Sequence, residues 1–390
     1  MSKTLQDYAT LINDTIQSNE INHYITTDNM CQNLGGIDTL KNINIPQGKV
    51  RSFQKDDVLL SNIRLYFRKV YRAKQKGGCS SDVLVFRAKH IDSATLFAIL
   101  CSQIFTDYAC SGSQGSKMPR GNKTHMMDFK IPTINFTIAK IFNSIQNKIE
   151  NNHKINELLH KILELLYEQY FVRFDFLDEN NKPYQTSGGK MKFSKELNRL
   201  IPNDFEVKTL GELITWISGS QPPKSCHIYE HKEGYIRFIQ NRDYSSDDYI
   251  TYIPISKNNK ICYQYDIMID KYGEAGAVRF GLQGAYNVAL SKISVLNQSM
   301  QEYIRSYLNS KPIKKYLSNA CMASTRSSLN ENHIYSLMLP IPPINLLQKY
   351  EKIAKNIITA IIKNNQSTQT LTALRDFLLP LLLKQQVKPK

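Results

Sequence analysis

At 390 residues the chain exceeds the roughly 250–300 residues at which a single core stops growing, so at least two domains are expected, each able to bury a core. The formal charge of +16 comes from 50 Lys and Arg against 34 Asp and Glu, scattered along the chain rather than gathered in a tail. A polyanion is therefore the first partner to test, with a Lys/Asn-biased genome as the alternative source of that composition, while the absence of any long apolar run argues against a membrane span.

In chain order, Leu5, Tyr8, Ile12 and Ile16 recur at helical spacing and predict a short helix within residues 3–22. From Tyr24 to about Val85 short apolar stretches alternate with Gly35-Gly36, Gly48 and Gly77-Gly78, which is the texture of strands and turns. Asp57 to Ser61 and Asp82 to Phe86 read as buried strands, Ser93 to Tyr108 as a helix, and Ser111 to Lys123 as a polar loop. The stretch from Asp178 to Lys192 is hydrophilic, contains Gly and Pro, has no apolar period, and reads as a linker.

The second half repeats these parts in order. Tyr265 to Asp270 takes the place of the first strand, Gly284 to Leu290 that of the glycine-led second strand, Gln301 to Leu317 that of the helix, and Ser318 to Glu331 that of the loop. Matched positions lie about 206–213 residues apart. Each half then closes on a proline-marked boundary, His125 to Pro132 and His333 to Pro340, and runs into an apolar-periodic long helix. Ile138, Ile141, Ile145, Ile149, Ile155, Leu158, Ile162 and Leu165 mark the first seam, and Ile353, Ile357, Ile361, Thr368, Leu371, Leu374 and Leu378 the second. The seams are interrupted at Asn151-Asn152 and Asn364-Asn365, and polar residues in an apolar seam fix register and partner choice at some cost in stability.

Catalytic signatures are scarce. There is no GxxxxGK[ST] phosphate loop, and no Gly-rich turn after a strand that would hold a dinucleotide or adenosylmethionine, so no cofactor is expected. The two Pro-Pro pairs, at Pro222-Pro223 and Pro342-Pro343, lack the flanking residues of an amino-methyltransferase motif. Asp204 with Glu206-Val207-Lys208 is the one nuclease-like fragment, which leaves a metal-dependent nuclease as the rival reading. Seven cysteines without a CxxC pair read as reduced thiols of a cytoplasmic protein. His125 and His333 have no acid or nucleophile nearby in sequence and read as backbone-bonding residues; Trp216 reads as core.

Groups able to grip DNA are concentrated in three regions. Lys49 to Lys76 carries nine cations, among them Arg64, Arg68, Lys69 and Arg72, interleaved with Tyr66, Phe67 and Tyr71, a density that would neutralise phosphates. The loop around Gln114, Lys117, Arg120, Asn122 and Lys123 offers side chains that make paired hydrogen bonds to guanine and adenine edges. Ser220 and Gln221, Asn241 and Arg242, Lys271 and Tyr272, and Ser324 and Arg326 supply the counterparts in the second half.

At these residues the chain resembles the specificity (S) subunits of type I restriction-modification systems. The likeness is carried by Tyr24 to Met30 with Gly35-Gly36-Ile37, Leu210-Gly211-Glu212-Leu213 through Lys224, Gly234 to Ile239, Tyr272 to Val278, and Leu339-Pro340-Ile341-Pro342-Pro343 with the helix beyond. The resemblance implies a mixed α/β (α+β) fold in which two similar target-recognition domains, 1–132 and 205–340, are separated by two long helices forming an antiparallel coiled coil. Those helices are expected in 133–173 and 341–390, with a linker at 174–204. A helix of about 35 residues spans roughly 50 Å. The family implies that each domain reads half of a split double-stranded DNA site. Two methyltransferase (M) subunits and then restriction (R) subunits would supply adenine methylation, translocation and cleavage, so the chain itself would not be an enzyme. One departure stands out: the first half opens on Leu5-Gln6-Asp7-Tyr8 with no evident counterpart of Leu210 to Leu213, which predicts a shortened or different first domain.

Overall fold

A computed structural model of the protein describes residues 3–39, 41–131, 134–245, 249–322 and 328–383. The chain forms two compact units, Met1–Leu158 with Lys363–Lys390, and Leu159–Ile362.

In the first unit the chain order is α1 (Leu5–Tyr8), β1 (Ala9–Ile12), β2 (Thr15–Gln17), β3 (Tyr24–Ile25), β4 (Lys49–Phe53), β5 (Val58–Ser61), β6 (Val70–Arg72), β7 (Gly77–Cys79), β8 (Val83–Ala88), α2 (Ser93–Cys101), α3 (Gln103–Ser111), α4 (Lys123–Met127) and the start of α5 (Phe136–Tyr167). The strands make two four-stranded sheets, β1-β8-β5-β6 and β2-β4-β7-β3. The first is sandwiched. Val58, Leu60, Leu84 and Phe86 face the helical core with Leu96, Ile99 and Phe105, while Leu59, Val83 and Val85 face Ile25, Phe53 and Cys79 of the second sheet. Burial on both faces is why β5 and β8 read as continuous apolar runs.

The second unit contains the end of α5 and β9 (Met191–Ser194), β10 (Arg199–Pro202), β11 (Glu206–Thr209), β12 (Ile214–Ser218), β13 (Tyr235–Ile239), β14 (Tyr252–Pro254), β15 (Ile261–Cys262), β16 (Ile267–Asp270), β17 (Val278–Arg279), β18 (Gly284–Tyr286) and β19 (Leu290–Val295). Helices α6 (Gln301–Asn309), α7 (Lys311–Met322) and α8 (Glu331–Tyr335), strand β20 (Met338–Ile341) and helix α9 (Ile344–Leu378) follow, the last passing into the first unit. Its central sheet, β12-β19-β16-β17, has the strand order of β1-β8-β5-β6. In the other sheets, β15-β18-β13 matches β4-β7-β3, including the parallel pair next to the antiparallel one. Residues 174–204 include the β9–β10 hairpin and bury Phe174, Phe176 and Ile201 in this unit's core.

The duplication extends to single hydrogen bonds. Four helix starts lie 208 residues apart: Ser93 and Gln301, Gln103 and Lys311, Lys123 and Glu331, Phe136 and Ile344. The expected single helices at Ser93 to Tyr108 and at Gln301 to Leu317 are each broken into two. The break falls at Ser102 and Ser310, both in extended conformation, whose hydroxyls donate to Ile99 O and Tyr307 O at 2.7 Å in each case. A serine that bonds back onto the preceding turn offers the backbone an alternative to continuing the helix. Asn122 and Asn330 cap α4 and α8 by accepting from the main-chain N–H of His125 and His333 at 3.1 and 3.3 Å.

Two further expectations need correction. The helix expected within residues 3–22 is confined to Leu5–Tyr8; Ala9–Ile12 pairs with β8 and Thr15–Gln17 with β4. Sheet pairing at the edge outweighs the helical spacing of four apolar residues. The expected lack of a first-half counterpart to Leu210–Leu213 is also overturned. Thr4 and Asp7 form the same reciprocal capping box as Thr209 and Glu212, and Leu5 N–H donates to Phe129 O at 2.9 Å as Leu210 N–H does to Leu337 O at 2.7 Å. Thr4 bridges to Lys130 where β11 pairs with β20, so each module clasps its own beginning to its own end.

The long helices carry more than one apolar stripe. Ile138, Ile145 and Ile149 are buried, whereas Ile141, Ile155, Leu158, Ile162 and Leu165 of the same expected seam are more than 40% exposed. In the first unit α5 and α9 run antiparallel and are joined by polar groups. Asn152 Nδ2 donates to Ser367 Oγ and Thr368 Oγ1 at 3.4 and 3.1 Å; Asn156 Nδ2 donates to Asn365 Oδ1 at 2.7 Å and its Oδ1 accepts from Asn364 Nδ2 at 3.0 Å. Asn151, one position off this face, is exposed. Deeper in the same interface Arg375, only 2% exposed, donates to Asn33 O and Gln146 Oε1, each at 3.3 Å, and to its neighbour Asp376.

Candidate nucleic-acid interface

In each unit the loops at one edge of the central sheet meet through main-chain hydrogen bonds. In the first unit Asn62 N–H donates to Asp82 O (2.7 Å) and Asn62 O accepts from Gly121 N–H (3.1 Å), tying the loop after β5 to the turn before β8 and to the 111–123 loop. In the second, Lys271 N–H donates to Ala289 O (2.8 Å) and Lys271 O accepts from Leu329 N–H (3.0 Å). Two glycines are tightly enclosed at these edges. A Cβ on Gly121 would meet Met126 Cε at 2.0 Å and Asn62 Oδ1 at 3.0 Å, and one on Gly219 would meet Asn287 O at 2.0 Å, far inside contact distance.

The cations of the first unit divide into two groups. Arg68, Lys69 and Arg51 point their charges at main-chain oxygens: Arg68 to Cys101 O at the end of α2 (3.0 Å), Lys69 to Thr27 O (2.6 Å), and Arg51 to Ser81 O (3.3 Å) and Val83 O. Burial lowers the pKa of Arg68 and of Lys69 from their ordinary values. Arg72 lies 3.8 Å from Asp56, and Lys74 reaches Glu150 (3.3 Å) and Asn147. Arg87 grips the buried Asp57 through two 2.8 Å bonds.

The remaining groups lie at the loop edge. Arg64, held in the left-handed region at φ 50°, donates to Lys117 O at 3.2 Å and lies over Phe67. A non-glycine residue in that region costs on the order of 1–3 kcal/mol and persists only where the surroundings impose it. Gln114 and Arg120 are paired through both backbone groups, at 2.9 and 2.8 Å, and both are exposed, as are Lys117 and Lys123. Arg120 Nη2 lies 2.9 Å from Asp82 Oδ1. Asn122 serves the cap of α4, and His125 stacks on Tyr108 at 4.1 Å with its Nε2 at 2.8 Å from Tyr108 O.

In the second unit the sequence candidates other than Ser324 and Arg326 gather at the equivalent edge; those two lie outside the described residues. Ser220 N–H donates to Tyr286 O (3.1 Å), which seats Ser220 and the exposed Gln221 beside Asn287. Asn241 Nδ2 donates to Tyr272 O (3.3 Å), linking the turn after β13 to the loop of Lys271 and Tyr272. Lys271 Nζ lies 5.9 Å from the Tyr272 ring, and the exposed Arg242 lies 5.7 Å from the Tyr249 ring. Beneath this loop Arg279 bonds both the buried Asp270 (3.0 Å) and Glu274 (2.6 Å). Burial raises the Asp270 pKa above its ordinary value, with Arg279 opposing that rise. Trp216 packs partly buried against the core, its Nε1 on Ser218 Oγ at 3.0 Å.

Asn62, Asp82, Asn156, Gln146 and Arg375 are positions that residue type alone did not single out. Only Asn156 had a sequence signal, since it follows Asn152 at the helical spacing of four. For the nuclease reading, the exposed Glu206 lies 3.6 Å from Lys208 on β11, and among the described residues no three His, Cys, Asp or Glu are grouped to hold a metal.

Comparison with known proteins agrees with this architecture. Residues 202–373 match the family model described as the type I restriction modification DNA specificity domain. The chain is 24% identical over 303 residues to the MjaIX type I restriction enzyme specificity subunit of Methanocaldococcus jannaschii, covering 75% of this chain and 68% of that protein. It is 22% identical over 309 residues to the HindI specificity subunit of Haemophilus influenzae, covering 64% of this chain and 66% of that one. The crystal structure of a type I restriction-modification S subunit from M. genitalium matches with a TM-score of 0.63 at 15% identity, over 99% of this chain and 96% of that one, and shares the fold. With the module present twice and its loop-holding hydrogen bonds recurring, residues 202–373 match a type I restriction modification DNA specificity domain, and the chain is similar over most of its length to type I restriction-modification specificity subunits.

Proposed function

We propose that the chain is the non-catalytic, sequence-reading subunit of a type I restriction-modification complex, in which each module reads one half of a bipartite duplex site. The first module reads through the loops at 62–69 and 111–123, the second through the loops at 219–221, 241–242 and 271–277 and the segment after α7. Methylation of adenine, translocation and cleavage belong to the partners, two methyltransferase (M) subunits and restriction (R) subunits. Seven free cysteines fit a cytoplasmic setting.

The observation that carries this reading is a scaffold kept constant while its edge varies. The hydrogen bonds that hold the loops recur in both modules, yet Asn62, Asp82 and Gly121 stand where the second module has Lys271, Ala289 and Leu329. Two readers of different half-sites require this pattern: fixed geometry to present side chains to base edges, and different side chains to present. The charge of +16 supplies the phosphate attraction common to both.

The test is to map methylated adenines in DNA exposed to the chain together with its methyltransferase partner. A motif of two short blocks separated by unread base pairs is expected. Purified chain that cuts plasmid DNA in magnesium without partners would overturn the reading.

A further inference from the structure

Among the exposed cations at the loop edge of the first unit, Arg120 is singled out by its surroundings. Its main chain is fixed on both sides by the paired bonds to Gln114 and by the bridge between Ile63 and Arg120. Its side chain is 62% exposed, and Nη2 rests on Asp82 Oδ1 at 2.9 Å. Asp82 is itself placed by its carbonyl, which accepts from Asn62, and by the turn in which Val83 N–H donates to Ser80 O at 3.0 Å.

An ion pair this exposed contributes little to stability. Its effect is on geometry. Contact with one carboxylate oxygen restricts the rotamers of a long side chain, while the largely exposed guanidinium still offers paired N–H groups as a two-pronged donor. That fork matches the O6 and N7 acceptors of guanine in the major groove. A carboxylate alongside also repels phosphate, so this arginine is poorly suited to gripping the backbone, whereas Lys117, exposed on the same loop, has no such neighbour in contact among the described residues. The corresponding places in the second module, fixed by the recurring bonds to Asn62 and Lys271, are Ala289 and Ser328, so this pair belongs to the first module alone.

We propose that Arg120 is the guanine-reading side chain of the first module and that Asp82 is its positioning residue. This rests on the recognition function proposed above and deepens it by naming a base and its reader.

The experiment uses the complete methyltransferase complex, with adenine methylation mapped genome-wide and binding measured against duplexes carrying each base change. Arg120→Ala is expected to lower discrimination against replacement of one guanine, in one half-site, by about 10- to 100-fold. Asp82→Asn should weaken discrimination at that same base pair about 3- to 10-fold, with melting temperature and salt slope unchanged, and Asp82→Glu should restore part of it. Lys117→Ala should weaken binding to all sequences alike and reduce the salt slope by about one. Undiminished discrimination by Arg120→Ala at every position would overturn the inference. So would a uniform loss with a shallower salt slope, or a wild-type motif with no guanine in the half changed by exchanging the first module. If the wild-type complex shows no site preference at all, the proposed function fails first, and the two failures are thereby separated.

Discussion

Asn156 donates to Asn365 at 2.7 Å across the antiparallel pair of α5 and α9, and accepts from Asn364 in return. Asn156 is 8% exposed, so its amide depends on these partners. Asn156→Ala is expected to destabilise the protein by about 1–2 kcal/mol, read as a lower urea midpoint. An unchanged midpoint would mean that water replaces both bonds without cost.

Arg375 offers a harsher version of the same experiment. Its charge is 2% exposed and shared among Asn33 O, Gln146 and Asp376. Truncation in Arg375→Ala leaves Gln146 and a main-chain carbonyl without their donor and opens a cavity, an expected loss of about 3–5 kcal/mol. Arg375→Met keeps the volume and should lose clearly less. Equal losses in the two variants, measured by denaturant titration, would contradict this account.

Glu351 gives the protein a pH dependence of definite sign. Burial pushes its carboxyl up to about 7, against the pull of the Glu302 N–H that donates to it at 2.8 Å and of Arg305 and Lys355, and with Glu302 adding to the rise. Below the ordinary carboxylate pKa both the folded and the unfolded chain hold the proton, and the cost is absent. As pH climbs from there toward 7 the unfolded chain ionises first, so stability falls and then levels off. Glu351→Gln keeps an acceptor for Glu302 and removes the titration. It should raise the melting temperature by a few degrees at pH 8, on the order expected for about 1 kcal/mol, and by much less at pH 5. The same shift at both pH values would exclude Glu351 as the source.

Gly219 separates folding from reading. Its missing Cβ leaves room for Asn287 O, which an added methyl group would approach to 2.0 Å. Gly219→Ala must move the backbone that seats Ser220 and Gln221, at an expected cost of about 1–3 kcal/mol. Methylation mapping should then show relaxed or altered specificity in one block only, the one assigned to the second module. A change in both blocks would argue against independent readers.

Much of this fold was legible where burial is one-sided or complete. The runs at 57–61 and 82–86 are strands β5 and β8, and the repeat at a near-constant offset anticipated the matched sheets. The N-terminal segment was not legible, because Leu5, Tyr8, Ile12 and Ile16 fit helical spacing while their partners, β8 and β4, lie tens of residues away. Period also fails to say which of two apolar stripes faces inward, so Ile145 and Ile162 looked alike although one is buried and the other is 48% exposed. Charge density misleads in a related way. Arg68, Lys69 and Arg120 are equivalent in a count, yet two reach main-chain carbonyls and one stands at the rim beside an aspartate. Asp82 had no sequence signal, since the partner that gives it a role is Arg120, on a separate loop.

Thr4 with Lys130, and β11 with β20, bring the two ends of each module side by side. A segment whose entry and exit are neighbours can be cut out of its gene and replaced by a relative while the surrounding backbone still finds its partners. If each module reads its own half-site as proposed, inheritance of a new half needs only one crossover at each clasp, and a population can assemble new combinations of halves faster than point mutation could refine either one.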